Sequence, residues 1–188
     1  MSKVKAAVFA SGTGSNFQAI MEANNLPCEI SLLICDKPGA GVIEKAKNSD
    51  VPAFVFQPKE FTSKAEYEKH LVEKLREANV SWIFLAGYMR IVGPTLLTAF
   101  EGKIVNIHPS LLPDFPGKDA IGQAYHAGVK TTGVTVHFID EGIDTGPIIA
   151  QETVEVQDDD TEETLKEKIQ KVEHELYPKV IQQIVQTK

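Results

Sequence analysis

The chain has 188 residues, 43% of them apolar and 24% charged, with a formal net charge of −7. That composition is ordinary for a soluble globular domain. The acidic balance, with no basic cluster, argues against nucleic acid or an anionic membrane as the main partner. The N-terminal apolar stretch, Ala6 to Ala10, is too short for a secretory core, and no run reaches membrane-spanning length. Cys28 and Cys35 fall near opposite ends of one predicted strand without CxxC spacing, so no disulfide is expected. A reduced, cytoplasmic setting fits best. In chain order, a strand is predicted over Lys5–Ala10, then a loop Ser11–Asn16 and a helix to about Asn24. Glu29–Cys35 reads as a buried strand, Gly41–Asn48 as a helix and Ala53–Phe56 as a brief third strand. Ser63, with Glu66 three residues on, opens a helix that runs to about Ala78. Trp82–Ala86 is the fourth strand, Thr95–Phe100 a short helix and Ile104–His108 the fifth strand. A loop punctuated by Gly and Pro covers Pro113–Gly117, and Val134–Phe138 and Ile148–Val156 add two strands. The last helix starts near Thr161 behind three aspartates, with Leu165, Ile169, Val172 and Leu176 as its buried stripe. Pro178 is expected to kink or break it, with Val180, Ile181 and Ile184 continuing the apolar face.

Strands alternating with helices imply a three-layer, doubly wound α/β domain with a mostly parallel sheet. No repeat, linker or low-complexity tract interrupts it, so residues 1–188 are read as one domain. Its ligand site is expected at the carboxyl ends of the strands.

Three segments carry chemistry. Asn106 and His108 are the last polar side chains of the fifth strand, two residues apart and so on one face, with Pro109 marking the strand's end. An amide donor and a titratable ring are thereby aimed at one point. The loop after the first strand contains Gly12 and Gly14, which allow a tight turn, and Ser15 and Asn16 then open a helix whose free N–H groups suit a phosphate. No Gly-Lys-Ser/Thr follows, and Phe17 stands where a dinucleotide fingerprint has its third glycine, so a phosphate monoester fits better than a pyrophosphate. Third, the loop Asp140 to Pro147 holds three carboxylates in five residues. Asp144 beside His108 would orient the ring and raise its pKa by opposite charge. His108, His137 and Asp144 also form a rival metal set, although no HxH, HExxH or cysteine pair accompanies them. His70 and His126 read as helix-surface residues, and His137, which alternates with apolar neighbours and is either solvent-facing or on the site wall, is left out of the candidate set.

Asn106, His108 and the run to Pro113, taken with the Asp144 loop, resemble the formyltransferases that use 10-formyltetrahydrofolate. Adding Gly12 to Asn16, Ala86 to Ile91 and Glu173-His174 narrows the resemblance to the branch that formylates a glycinamide ribonucleotide in purine synthesis, over essentially the whole chain. It implies a Rossmann-like formyltransferase fold, with residues 1–100 as the phosphate-binding half and 101–188 as the catalytic and folate-binding half. The implied reaction moves a formyl group from 10-formyltetrahydrofolate, as co-substrate, to the amine of 5-phosphoribosylglycinamide. Direct attack passes through a tetrahedral intermediate and needs no metal. Asn106, His108 and Asp144 are then catalytic. Gly14, Ser15, Asn16, Gln170 and Glu173 are implied to bind the ribonucleotide. Lys64, Met89, Arg90, Ile91, Val92, Asn106, Asp140, Glu141, Gly142, Ile143 and Asp144 are implied to bind the folate. Many relatives have arginine where this chain has Lys64, which loses the bidentate fork. Lys118 to Ile121 holds no histidine, unlike some relatives, so that loop is assigned no catalytic part, though it is placed to fold over the site as a lid. The implied partners are small molecules alone, with the enzyme a monomer or homodimer. The alternatives are another 10-formyltetrahydrofolate-dependent formyltransferase, a deformylase, a phospho-ligand sensor, or an oxidoreductase using Asp36 as the ribose acid after the second strand.

Overall fold

Strand β1 (Val4–Ala10) sets the layering, because its apolar run alternates between two helix layers. Ala6, Val8 and Ala10 enter one buried cluster, while Ala7 and Phe9 enter the other. The computed structural model describes residues 3–185. After β1 come α1 (Ser15–Glu22), β2 (Cys28–Cys35), α2 (Gly41–Asn48) and β3 (Ala53–Val55). A single 3-10 turn at Pro58–Glu60 leads into α3 (Lys64–Glu77), β4 (Trp82–Leu85), α4 (Pro94–Ala99) and β5 (Ile104–His108). The chain ends with α5 (Ala120–Ala127), β6 (Thr131–Phe138), β7 (Ile148–Glu155) and α6 (Glu162–Ile184). The seven strands form one sheet in the order β3-β2-β1-β4-β5-β6-β7. Pairings from β3 through β5 are parallel, and β6 and β7 join antiparallel.

One face of the sheet carries α1, α2 and α6 through residues such as Phe17, Val42, Leu165, Ile169 and Tyr177; the other carries α3 and α4 through Tyr67, Leu71, Leu75 and Leu96. This is the three-layer arrangement anticipated from the alternation of elements. α5 (Ala120–Ala127) is the element the sequence reading did not delimit. Its eight residues are short, and Gly122 at its centre is a poor helix former. A Cβ at Gly122 would meet the Asp119 carboxylate, so a larger residue there would have to displace that side chain.

α6 runs uninterrupted through Pro178, contrary to the expected break. The missing N–H is outweighed by burial on both sides of it, since Tyr177, Val180 and Ile181 are in the core. Tyr177 also donates its hydroxyl to the carbonyls of Leu85 (2.8 Å) and Val105 (3.1 Å), tying the helix to β4 and β5.

At the start of α3, Ser63 accepts from the Glu66 N–H, as that pair suggests. Glu68, buried on α3, caps a different helix: its carboxylate accepts from Gly93 N–H at 2.7 Å and Leu96 N–H at 3.2 Å at the start of α4. Glu68→Ala is expected to destabilise the protein by about 1–3 kcal/mol per stranded N–H. A thermal melt within a degree of wild type would contradict that cap.

Candidate active site

β1 and β4 are adjacent although three crossovers separate them in sequence, so the sheet order reverses between them. Loops leaving the carboxyl ends there diverge and open a crevice. A cavity of about 1150 Å³ occupies it, lined by the loop Gly12–Asn16 after β1, residues 85–92 from the end of β4 onward, 106–109 at the end of β5, segments 117–121, 139–140 and 142–144, and one face of α6. That volume is ample for two ligands side by side.

At the centre lie Asn106, His108 and Asp144, which the structure brings together. His108 Nδ1 is 3.5 Å from Asp144 Oδ2, and the ring is 5% exposed. His108 Nε2 donates to the Phe115 carbonyl at 2.8 Å, so a fully protonated ring is matched by an acceptor on each nitrogen. Asp144 adopts a left-handed backbone (φ 55°) and accepts from Gly117 N–H at 2.7 Å. The 113–117 loop therefore grips both groups. The sequence reading marks this stretch only as a loop and does not anticipate these contacts. Its contacts come from backbone groups, which leave no trace in side-chain composition.

His137, left out of the candidate set, lies against Asn106 without lining the cavity. β5 and β6 pair so that Asn106 sits directly opposite His137. His137 is wholly buried, and its Nδ1 donates to the Phe138 carbonyl at 2.9 Å. A carbonyl only accepts, so Nδ1 holds the proton and Nε2 presents a lone pair. Asn106 Nδ2 is 3.4 Å from that lone pair. Burial lowers the His137 pKa, with the Phe138 carbonyl and Asp144 pulling back the other way, so the neutral ring is favoured. An acceptor at this point fixes which way the Asn106 amide faces, and only the strand register reveals it. His108, His137 and Asp144, the rival metal set, do come together, but among the described residues no group of three or more His, Cys, Asp or Glu is arranged to hold a metal ion.

At one end of the cavity the loop after β1 turns through Gly14 (φ 81°), where a Cβ would also meet Val42 Cγ2 at 2.6 Å. α1 starts at Ser15 with no side-chain cap and no acid in its first turn, leaving its N–H groups free for an anion. Asn16 Nδ2 donates to Glu173 Oε1 at 3.0 Å, while Asn16 Oδ1 is buried without a partner among the described residues. Gln170 lies one turn back from Glu173 on the cavity face of α6. Residues 14–16 and 170–173 come from opposite ends of the chain and meet here, so both halves of the chain line this end of the cavity.

Burial raises the Glu173 pKa, and the Asn16 amide only partly offsets it. A carboxyl whose folded pKa exceeds its unfolded value contributes stability below the unfolded pKa and loses it as pH rises through the folded one. Glu173→Gln keeps the Asn16 contact and removes this dependence. Its melting temperature is expected to pull ahead of wild type as pH rises from the ordinary glutamate range toward neutrality. A constant gap across that window would contradict the assignment.

The opposite wall is formed by Met89 to Val92, facing Asp140, Gly142, Ile143 and Asp144. Met89, Ile91 and Ile143 are large apolar side chains left more than half exposed, which on a cavity wall suits a flat heterocycle. Two named residues stand off this wall. Lys64 is not part of the lining; its ammonium donates to the Ile91 carbonyl at 2.7 Å and so braces the wall from behind. Glu141 is exposed at the loop's outer edge and outside the lining, while Asp140 holds the turn by accepting from Gly142 N–H and Thr145 Oγ. Lys118 and Asp119, in the segment read as a lid, line the cavity, as does Lys166, which the sequence reading does not name. Nothing in a lone surface lysine marks it before the fold is known. Asp36 is not a ribose ligand: its side chain is fully buried and is engaged by Ser11 and Arg90.

The sequence profile of the formyl transferase family matches residues 4–181, and the chain belongs to that family. Phosphoribosylglycinamide formyltransferase of Bacillus subtilis is 55% identical over 184 residues, covering 96% of this chain and 94% of that protein. The crystal structure of glycinamide ribonucleotide transformylase 1 from Geobacillus kaustophilus superposes with a TM-score of 0.96 at 58% identity, over 98% of this chain and 100% of that one. Phosphoribosylglycinamide formyltransferase from Streptococcus pneumoniae gives a TM-score of 0.92 at 48% identity, over 98% and 99%. The fold expected from the order of elements is the fold of these enzymes.

Proposed function

We propose that this protein transfers the formyl group of 10-formyltetrahydrofolate to the amine of 5-phosphoribosylglycinamide, a step of purine synthesis carried out in the cytoplasm. The observation that carries the reading is a single cavity with an anion-ready helix start at one end, an apolar-walled slot at the other and Asn106, His108 and Asp144 between them. The ribonucleotide phosphate sits on Gly14, Ser15 and Asn16, with Gln170 and Glu173 toward the ribose. The folate lies against Met89 to Val92 and the Asp140–Asp144 loop, and Lys64 acts through the Ile91 carbonyl.

Attack of the free amine on the formyl carbon places negative charge on the formyl oxygen. Asn106, its amide oriented by His137, and protonated His108 donate to that oxyanion. His108 reaches it by exchanging its bond to the Phe115 carbonyl for one to substrate, which couples the 113–117 loop to turnover. Asp144 faces the imidazolium and takes up the proton lost by the attacking amine, through water, while His108 supplies one to the departing folate nitrogen. No covalent enzyme intermediate is required.

The test is an absorbance assay with 10-formyl-5,8-dideazafolate, run with and without phosphoribosylglycinamide. Deformylation of the folate is expected only when the acceptor is present. Equal turnover without it would identify a hydrolase instead. Activity with a different amine alone would identify another formyltransferase.

A further inference from the structure

Asp36, immediately after β2, occupies the place where a dinucleotide-binding fold carries its ribose acid, yet its carboxylate faces inward. Both oxygens are used. Oδ1 accepts from the Ser11 hydroxyl at 2.5 Å, and Oδ2 accepts from Arg90 Nε at 2.9 Å. The Ser11 oxygen in turn accepts from Met89 N–H at 2.9 Å, and Ser11 N–H donates to the Gly87 carbonyl at 3.1 Å. None of these groups takes part in the chemistry described above.

A fully buried carboxylate is costly to keep and is tolerated when its partners satisfy it completely. Here the partners are all on the segment that forms the apolar wall, or on Ser11 at the root of the phosphate loop. One branch holds the backbone of Met89; the other holds Arg90 by Nε alone. The two Nη nitrogens of Arg90 make no hydrogen bond to described residues, and the side chain is 42% exposed on the cavity. A guanidinium pinned through Nε has its direction set while its outer edge stays open to ligand acceptors. Without the carboxylate, residues 87–91 keep the Lys64 bond to Ile91 and the Ser11 N–H bond to Gly87, but Arg90 loses its tie to the β2 side and the Ser11 hydroxyl that holds Met89 loses the acceptor that orients it.

We propose that Asp36 is a positioning residue for folate binding, setting the Met89 backbone through Ser11 and the direction of the Arg90 guanidinium through Nε. The proposal rests on the reading that Met89 to Val92 take the folate. It separates this contact from catalysis, so its signature is a change in folate affinity and not in the chemical step.

The experiment measures binding of 5,8-dideazafolate, both KM values, kcat and melting temperature for wild type, Asp36→Ala, Asp36→Asn and Ser11→Ala. Asp36→Ala is expected to weaken dideazafolate binding about tenfold, the equivalent of one charge-assisted hydrogen bond's worth of positioning. The folate KM should rise with it, while the ribonucleotide KM and kcat stay within about threefold, a difference of roughly one neutral hydrogen bond or less. Asp36→Asn offers a carbonyl to Arg90 Nε and an amide to the Ser11 oxygen, and is expected to restore most of the lost affinity. Ser11→Ala cuts only the Met89 branch without burying a new charge, and is expected to fall between wild type and Asp36→Ala. Should Asp36→Ala fail to fold, Ser11→Ala decides, and unchanged folate affinity in it overturns the proposal. Equal loss on both substrates with a lower melting temperature also overturns it, as the mark of a merely structural residue. Failure of wild type to bind dideazafolate would instead overturn the folate reading itself.

Discussion

Asn106→Ala is expected to lower kcat by about 10²–10³ with either KM little changed, because the amide is asked to donate chiefly to an oxyanion that exists only after attack. The geometry makes the expectation specific. Asn106 Nδ2 has a protein partner in His137 Nε2 at 3.4 Å, and that partner dictates which face of the amide is turned to the cavity. Removing the amide leaves the fold intact, since Asn106 is only half buried between Ile104 and Val105 on one side and Ile107 on the other. Steady-state kinetics on a variant with a wild-type melting temperature checks it. Turnover within threefold of wild type would remove Asn106 from the oxyanion site.

Asp144→Asn carries the second large effect, a loss of about 10²–10⁴ in kcat, the range for general acid–base help. The carboxylate faces His108 Nδ1 at 3.5 Å, lies 3.8 Å from His137 Nε2 and accepts the Gly117 N–H at 2.7 Å. Asparagine is the same size and still accepts from Gly117, so it removes the charge opposite the imidazolium while keeping the loop anchored. Asp144→Ala removes both. Comparing the two by amide exchange at Gly117 separates the roles: protection should survive in Asp144→Asn and fall in Asp144→Ala. Equal kcat in Asp144→Asn and wild type would show that the charge opposite His108 is not used.

The positions of Asn106, His108 and Asp144 were legible before the fold because each stands at a marked boundary. The first two end an apolar strand before a proline, and the third sits in a glycine-rich loop with clustered acids. The loop ahead of α1 was legible for a similar reason, since glycines ahead of a helix signal a turn with free N–H groups. The contributions that escaped notice have no such local mark. His137 sits mid-strand among apolar neighbours and reaches the site only because β6 pairs antiparallel with β5 in one register. Phe115 and Gly117 act through their backbones. Lys64 was placed on the ligand by resemblance, yet its nitrogen meets a carbonyl contributed by residue 91, a contact that depends on how α3 lies beside the loop after β4.

Sequence alone determined the layers and, apart from α5, the order of elements, because hydrophobic periodicity and caps act over a few residues and each strand or helix is decided nearly on its own. It also determined which strand ends carry polar groups. Only the tertiary structure decided the strand order that opens the crevice between β1 and β4, the continuity of α6 through Pro178, and the inward turn of Asp36. These depend on burial and on hydrogen-bond partners tens of residues away, and such partners are chosen when the sheet assembles, not along the chain.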